Sequence, residues 1–319
     1  MKKTEIIGIV GFNNTQLLEI KKKYPSLKFV DVNDNNFFSK KITKINALII
    51  LYEFPVKKNL SFFIKYKFKI FKKLKWVHLT RAGVDECEPY LKTYHFKLTA
   101  GKKIQGPNVS EHCMAMLLSI SRGLFDQYKL NKYTHRPTEI LNKRILIVGL
   151  GGIGTEVAKK LNVFGAKVDS IDHSFTKKKY IDKNYSIESL IKIAKNYDII
   201  INCLPLTKIT QNLFDKIFFY SMKKLSIFLS VSRDQTINIK DFKKFVKTKK
   251  LFGVAIDNTG SFKMKNKVEY YKKYNFLLTD HLAGVTTDNH RRAKLIYDNI
   301  DAYAKNKKIN FLVSKQKGY

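Results

Sequence analysis

A glycine-rich segment near the middle of the chain carries the most specific chemical pattern in the sequence. The apolar run Ile145–Val148 is followed by Gly149–Gly154, which reads GLGGIG, and then by an amphipathic stretch typical of a helix. In such a pattern Gly149 permits a tight turn, Gly151 lets a pyrophosphate approach the backbone, and Gly154 lets the helix pack on the strand. The amides at the start of that helix attract phosphates. The segment therefore predicts a dinucleotide-binding β-α-β unit.

An aspartate at the end of the next apolar run refines this prediction. Asp172 follows the predicted strand Lys167–Ile171, about twenty residues after Gly149, which is the usual spacing of the acidic residue in this unit. Its carboxylate would accept hydrogen bonds from the adenosine ribose hydroxyls and repel a 2′-phosphate. The sequence therefore predicts NAD as the cofactor rather than NADP.

Six further short segments occur in an order that points to one family. They are Ala82–Asp85, Gly106–His112, Leu204–Thr207, Val231–Arg233, Ala255–Asp257 and Thr279–Gly284. With the glycine segment, they make the chain resemble the D-isomer-specific 2-hydroxyacid dehydrogenases over nearly its full length. The resemblance implies an α/β fold of two doubly wound domains, a Rossmann NAD-binding domain inserted in a flavodoxin-like substrate domain, and a homodimer. It also implies hydride transfer that interconverts a 2-oxo acid and a D-2-hydroxy acid.

The resemblance assigns the chemical steps to a histidine and an arginine. His281 would give a proton to the carbonyl oxygen and take it back in the reverse direction, because histidine titrates near neutrality. Arg233 stays cationic and would bind the substrate carboxylate while it polarises the carbonyl. The backbone amides of Ala82, Gly83 and Val84 would also hold that carboxylate. The implied cofactor contacts are Gly149, Gly151, Gly152, Ile153, Gly154, Asp172, Leu204, Pro205, Thr210, Val231, Ser232, Asp257 and Gly284.

Three positions depart from the family pattern on the substrate side. Phe262 stands where the family has the glutamate that orients the catalytic histidine, and its ring would reshape the pocket toward larger, less polar oxo acids. Asp280 adjoins His281 in a segment predicted to be extended, so the two side chains should point apart. Asp234 replaces a glycine and predicts a different backbone beside Arg233. Two hypotheses follow: a working reductase with an altered proton relay, or a catalytically impaired NAD(H)-binding homologue that acts as a sensor or scaffold.

Alternating apolar runs and amphipathic stretches must position these residues, and such alternation favours a parallel α/β architecture. The predicted strands are Ile6–Val10, Lys28–Val32, Ala47–Leu51, Lys75–Thr80, Phe96–Thr99, Arg144–Val148, Lys167–Ile171, Ile199–Asn202, Ser226–Leu229, Phe252–Ile256 and Phe276–Thr279. Helices are predicted near 15–23, 62–73, 86–93, 108–125 and 287–306. We expect residues 1–104 and 286–319 to form the substrate domain and 105–285 the cofactor domain. The last helix has no strand of its own and should pack on the first domain.

Composition limits the classes of partner and compartment. The net charge is +35, but only seven of the 61 basic residues are arginine, and the lysines are spread along the whole chain. Base readout favours arginine and a clustered patch, so a nucleic-acid partner is disfavoured.

No apolar stretch approaches the ~20 residues that cross a bilayer, and the start of the chain is predicted to be a strand and not a signal peptide. Cys87, Cys113 and Cys203 are scattered, which predicts no disulfide, no zinc site and a reducing cytoplasm. The adjacent pair Glu111 and His112 is interpreted as part of a helix start and not as a metal site.

Overall fold

The computed structural model describes residues 5–32, 44–51, 72–85, 87, 91–126, 136–173, 179–258, 260, 262, 267–316 and 318. The chain divides into two units. Met1–Ile104 and Asp288–Tyr319 make up the outer unit, and Gln105–Thr287 make up the inserted unit. The second crossing between units lies two residues later than the position expected from the sequence. The helix expected at 62–73 lies outside the described residues except for its last two positions, and half of the helix expected at 86–93 lies outside them.

The outer unit contains a five-stranded sheet with the order β2-β1-β3-β4-β5. All four pairings in this sheet are parallel. The order is that of flavodoxin-like folds, which confirms the fold class predicted for this part of the chain. The strands are β1 (Ile6–Val10), β2 (Lys28–Asp31), β3 (Ala47–Ile50), β4 (Trp76–Leu79) and β5 (Lys97–Ala100).

The inserted unit contains a seven-stranded parallel sheet with the order β12-β11-β10-β9-β6-β7-β8. This is the doubly wound Rossmann order, with the direction of winding reversing between β6 and β9. The strands are β6 (Arg144–Val148), β7 (Lys167–Ile171), β8 (Asn184–Tyr185), β9 (Ile199–Asn202), β10 (Ile227–Ser230), β11 (Gly253–Asp257) and β12 (Phe276–Thr279). Only β8 was absent from the sequence prediction, because two residues are too few to form an apolar run.

The helices that cover these sheets begin and end at the following residues. They are α1 (Asn14–Lys23), α2 (Gly106–Arg122), α3 (Gly152–Val163), α4 (Leu190–Ile193), α5 (Lys216–Ser221), α6 (Ile239–Val246), α7 (Lys267–Tyr274) and α8 (His290–Ala304). The helix predicted near the C-terminus is α8. Its Ile296 and Ile300 pack in one cluster with Ile7 and Ile9 of β1, so this helix covers the sheet of the outer unit.

The inserted sheet is buried on both faces, as the continuous apolar run of β6 predicts. Ile145 and Ile147 pack in the cluster that includes Leu117 of α2, whereas Leu146 and Val148 pack in a second cluster rich in phenylalanine. Successive residues of a strand point to opposite faces, so this run supplies both layers of the core. The carboxyl end of β6, where the glycine segment begins, is thereby held rigidly.

The outer core contains a histidine whose protonation should control acid stability. His78 in β4 is fully buried, and its Nδ1 lies 2.8 Å from Thr99 Oγ1. Burial disfavours the imidazolium and lowers the pKa of His78 from 6.5 to about 4. Between these two values the unfolded chain binds a proton that the folded chain does not. Stability from this residue is therefore complete above pH 6.5 and declines as the pH falls toward 4.

We expect His78 to cost about 3 kcal/mol of unfolding free energy between pH 6.5 and pH 4, from the shift in its pKa. Urea unfolding of the wild type and of His78→Gln across this range measures the difference in slope. The variant should lose less stability on acidification, whereas His95→Gln, which changes an exposed histidine of the same unit, should follow the wild type. Equal slopes for wild type and His78→Gln would contradict the assignment.

Candidate active site and cofactor site

The glycine segment Gly149–Gly154, which joins β6 to the first turn of α3, requires glycine at its first and last positions. Gly149 has φ +97, and a Cβ there would lie 3.0 Å from the carbonyl carbon of Cys203 and from Leu204 N. A Cβ on Gly154 would lie 2.1 Å from the Gly149 carbonyl oxygen. Both positions exclude a larger side chain for reasons internal to the fold: a left-handed turn and close contact of helix with strand.

Gly151 differs from these two because a Cβ there would meet no atom within 4 Å. It is the N-cap of α3, its backbone is extended, and no side chain accepts a hydrogen bond from the first turn of the helix. The space above Gly151 is therefore open, and the amides of the first turn, which begins at Gly152, face it without a side-chain cap. Open space beside uncapped amides suits the pyrophosphate of a dinucleotide.

Asp172 lies directly beside this loop. Its Oδ2 accepts a hydrogen bond of 2.9 Å from Leu150 N, and its Oδ1 lies 3.6 Å from His173 Nδ1. The side chain is mostly buried at the carboxyl end of β7. The negative charge is therefore fixed one strand away from the glycine turn, on the side where the adenosine ribose of a dinucleotide lies in this fold.

Hydroxyl groups hold the loop that follows β9. Thr210 is buried, and its Oγ1 donates a hydrogen bond of 2.7 Å to the Pro205 carbonyl oxygen. Ser232 Oγ donates one of 2.5 Å to the Leu204 carbonyl oxygen. Thr210 and Ser232 thus shape the backbone of a loop that begins at the reversal point of the sheet.

Arg233 follows β10 in an extended conformation and is half-buried. The backbone N–H and the hydroxyl of Thr236 both donate to the Arg233 carbonyl oxygen, at 3.0 and 2.7 Å. Asp234 is buried and begins a short 3-10 turn, Asp234–Thr236, so it needs no left-handed backbone. The backbone change expected from Asp234 is therefore a tight turn that residues other than glycine can adopt.

The expectation that His281 lies in an extended segment is wrong. His281 is exposed, and its φ is +58, in the left-handed region. Such a backbone costs about 1–3 kcal/mol in a residue other than glycine, although histidine tolerates it better than most. The next two amides turn back toward the sheet, which is why the chain does not continue as a strand. Strict alternation of Asp280 and His281 consequently does not apply, and Asp280 Oδ2 accepts from Lys267 Nζ at 2.5 Å.

Asp257 at the end of β11 holds this turn. Its Oδ1 accepts from Thr279 Oγ1 at 2.7 Å and from Leu282 N at 2.8 Å, and its Oδ2 accepts from Ala283 N at 3.1 Å. Hydrogen bonds to a charged group contribute about 1.5–3 kcal/mol each, enough together to offset the left-handed residue. Oδ1 has both lone pairs occupied, whereas Oδ2 can accept one more hydrogen bond.

Two residues of α2 complete this arrangement and were not assigned to the site from the sequence. His112 Nε2 lies 3.0 Å from Thr279 Oγ1. Asn108 Nδ2 donates a hydrogen bond of 3.1 Å to the Ala283 carbonyl oxygen. The register of β11 and β12 pairs Asp257 with Thr279, so strand pairing was the signal that could have connected this threonine to the aspartate. Gly284 lies in the same turn, beside Gln105.

Phe262 does not line a pocket, contrary to the expectation from the sequence. Its side chain is completely buried. The ring packs edge-to-face against Phe242 and Phe276, with centroids 5.7 and 6.0 Å apart. An aromatic ring gains more free energy in this apolar cluster than at a polar cleft. Phe262 therefore belongs to the core beneath β12, and the prediction that its ring shapes the substrate pocket is wrong.

The predicted substrate loop follows β4 in the outer unit. Val84 is buried, and Ala82 and Gly83 are half-buried. The Val84 carbonyl oxygen accepts a hydrogen bond of 2.8 Å from Cys87 N. The loop lies at the carboxyl edge of its own parallel sheet, the edge where α/β folds bind ligands.

The remaining observations concern the cysteines, metal-ligating side chains and the length of the apolar helices. The three cysteines are free thiols. Within the described ranges, no three side chains of the metal-ligating types come together, and no helix is long and apolar enough to span a bilayer.

Comparison with known proteins identifies the family independently of the site geometry. Residues 114–283 match the family model described as D-isomer specific 2-hydroxyacid dehydrogenase, NAD binding domain. A glyoxylate reductase from Thermofilum pendens is 25% identical over 228 residues, which cover 65% of this chain and 65% of that protein. Alignments with other such relatives cover about half of their length.

Solved structures share the whole fold. A D-isomer specific 2-hydroxyacid dehydrogenase family protein from Aeromonas salmonicida has a TM-score of 0.80 at 22% identity, covering 98% of this chain and 100% of that one. An NADPH-dependent glyoxylate/hydroxypyruvate reductase from Sinorhizobium meliloti, in complex with NADP and sulfate, has a TM-score of 0.79 at 18% identity, covering 99% and 100%. At these identities the likeness establishes the two-sheet architecture.

Proposed function

This chain belongs to the D-isomer specific 2-hydroxyacid dehydrogenase family, and we propose that it is an NAD-dependent reductase that interconverts a 2-oxo acid and a D-2-hydroxy acid. One observation carries the proposal. The glycine loop, Arg233 and the turn that holds His281 all follow strands of one parallel sheet, at its carboxyl edge. Ligands of open α/β sheets bind at this edge, next to the point where the winding reverses.

The chain's own residues supply two kinds of chemistry in this proposal. NADH, when bound, supplies the hydride. Arg233 would hold the substrate carboxylate and stabilise the negative charge that develops on the carbonyl oxygen. A ring nitrogen of His281 would deliver the proton to that oxygen, and its exposure permits contact with a substrate. Ala82, Gly83 and Val84 would add backbone amides for the carboxylate.

We propose that the cofactor contacts extend along the same edge. The amides of Gly151, Gly152, Ile153 and Gly154 would hold the pyrophosphate. Leu204, Pro205, Val231 and the carbonyls shaped by Thr210 and Ser232 would line the rest of the groove, with Gly284 at its nicotinamide end. Asp257 would accept from the nicotinamide carboxamide through the remaining lone pair of Oδ2. The assembly proposed is a cytoplasmic homodimer, from the family resemblance and the free thiols.

Preference for NAD over NADP is the finer part of the proposal, and Asp172 carries it. We expect Asp172→Asn to lower kcat/KM for NADH by about tenfold and to raise the activity with NADPH, because the charge that repels a 2′-phosphate is removed. The amide keeps an oxygen that can accept from Leu150 N, so the loop should stay folded. Steady-state kinetics with both cofactors measure the ratio.

The matched control for this prediction is Asp182→Asn, which removes a charge from an exposed aspartate of the same unit. It should leave the NADH to NADPH ratio unchanged. An unchanged ratio in Asp172→Asn as well would remove Asp172 from the basis of cofactor preference.

A second function is favoured by one specific observation, the burial of Phe262. No carboxylate stands at that position to orient His281, so the chain could bind NAD(H) as a sensor or scaffold with impaired catalysis. Restoring glutamate there is a poor test, because the carboxylate would be buried among Phe242 and Phe276 and would destabilise the fold.

Two measurements on the wild-type protein separate the two functions. NADH affinity by calorimetry and NADH oxidation with a panel of 2-oxo acids should both be positive for the reductase. Binding without oxidation would favour the sensor. No binding would exclude both.

A further inference from the structure

Three hydrogen-bonded side chains support the turn that carries His281: Asp257 is buried, and Thr279 and His112 are half-buried. Thr279 Oγ1 has one proton to donate and lies 2.7 Å from a carboxylate oxygen of Asp257 and 3.0 Å from His112 Nε2. The shorter contact to the charged acceptor takes the proton. His112 must then donate from Nε2, so the contacts fix its tautomer. The same carboxylate oxygen receives the Leu282 amide at 2.8 Å, which links α2 to the turn through three side chains.

The end of this hydrogen-bonded series coincides with the strained residue. His281 adopts φ +58 and is followed directly by the two amides that Asp257 binds. A left-handed residue other than glycine persists only where its surroundings fix it. Asp257 does so only if its carboxylate keeps one orientation. Apart from the turn's own amides, Thr279 Oγ1 is the group shown to hold that carboxylate within hydrogen-bond distance.

We propose that Thr279, locked between His112 and Asp257, is a positioning residue that sets the backbone of the His281 turn. The turn is thereby oriented through its backbone. This inference rests on the proposed reductase function for its kinetic consequence, but its structural part does not. Thr279 would act through Asp257, the carboxylate that it contacts.

Thr279→Val tests the proposal because it removes the hydroxyl and keeps the shape. Hydrogen–deuterium exchange should show the amides of Leu282 and Ala283 losing protection at least tenfold. Turnover with NADH should fall by about ten- to a hundredfold, since small misplacement of a reacting group has effects of that size. KM for NADH should change less than turnover, because the glycine loop, which would hold the pyrophosphate, follows a different strand. Thr279→Ser, which keeps the hydroxyl, should restore both protection and turnover.

Thr248→Val is the matched control, because it removes an exposed threonine hydroxyl that bonds only locally to the Phe245 carbonyl oxygen in the same unit. It should leave exchange and turnover as in the wild type. If Thr279→Val does not fold, His112→Leu removes the group that holds Thr279 from the side of α2 and should lower the protection of the same two amides, by a smaller factor.

Retained protection of the two amides in folded Thr279→Val, or in His112→Leu where it replaces that variant, would overturn the proposal. So would a serine variant that behaves like the valine variant, or lost protection with unchanged turnover. If the wild type has no turnover with any oxo acid, the proposed function fails, and the exchange result alone decides whether Thr279 positions the turn.

Discussion

Replacing His281 with asparagine should lower 2-oxo-acid reduction by about two to four orders of magnitude, the usual contribution of a general acid. Asparagine is the better substitution here because it tolerates the left-handed backbone that His281 adopts, whereas alanine would add strain to the loss of the proton donor. NADH affinity should remain nearly unchanged, because the glycine loop lies after a different strand. Single-turnover kinetics with saturating NADH measure the effect on the chemical step.

His95→Gln serves as the control for this prediction, because it removes an exposed histidine of the outer unit. Turnover in that variant should equal the wild type. Equal activity of His281→Asn and wild type would show that another group donates the proton. Arg233 could not be that donor, because its guanidinium stays protonated.

The second large effect is expected in the glycine segment. Substitutions at Gly151 and Gly154 should have different consequences for NADH binding and for stability. Gly151→Val should weaken NADH binding at least about tenfold with little change in thermal stability. The new side chain would meet no protein atom close to its Cβ, but it would fill the space over the uncapped amides of α3. The extended backbone of Gly151 suits a β-branched residue.

Gly154→Ala should instead destabilise the inserted unit, since its Cβ would lie 2.1 Å from the Gly149 carbonyl oxygen. Thermal unfolding and NADH calorimetry on both variants separate loss of the ligand from loss of the fold. A Gly151→Val protein that binds NADH like the wild type would place the pyrophosphate elsewhere. A Gly154→Ala protein as stable as the wild type would show that α3 can move away from β6.

Local sequence patterns were sufficient to predict most of the strands and helices. The boundaries of β6 and β7 follow from apolar runs that end at Gly149 and Asp172, and both strands begin and end where the sequence places them. A strand of two residues such as β8 leaves no comparable pattern. The order of strands in the two sheets follows from the family resemblance and the doubly wound rule, and the structure confirms it.

The conformation of the substrate side was harder to predict from the sequence, because it depends on contacts between residues that are distant in the sequence. The left-handed His281 is a consequence of Asp257, which lies on the neighbouring strand, and no local pattern signals it. Counting along the sequence from Asp257 places Phe262 at a functional position, whereas its burial depends on Phe242 and Phe276. His112 belongs to the site because α2 packs beside β12 and brings its ring to Thr279, a contact that the sequence does not indicate.

The central claim is that this chain reduces a 2-oxo acid with NADH although no carboxylate stands at position 262. Oxidation of NADH by the purified wild-type protein, followed with glyoxylate, hydroxypyruvate, pyruvate and bulkier oxo acids, tests it most directly. We expect turnover with at least one of these acids, lowered in Gly151→Val at subsaturating NADH and strongly reduced in His281→Asn. Tight NADH binding with no turnover on any acid would contradict it and would favour the sensor or scaffold.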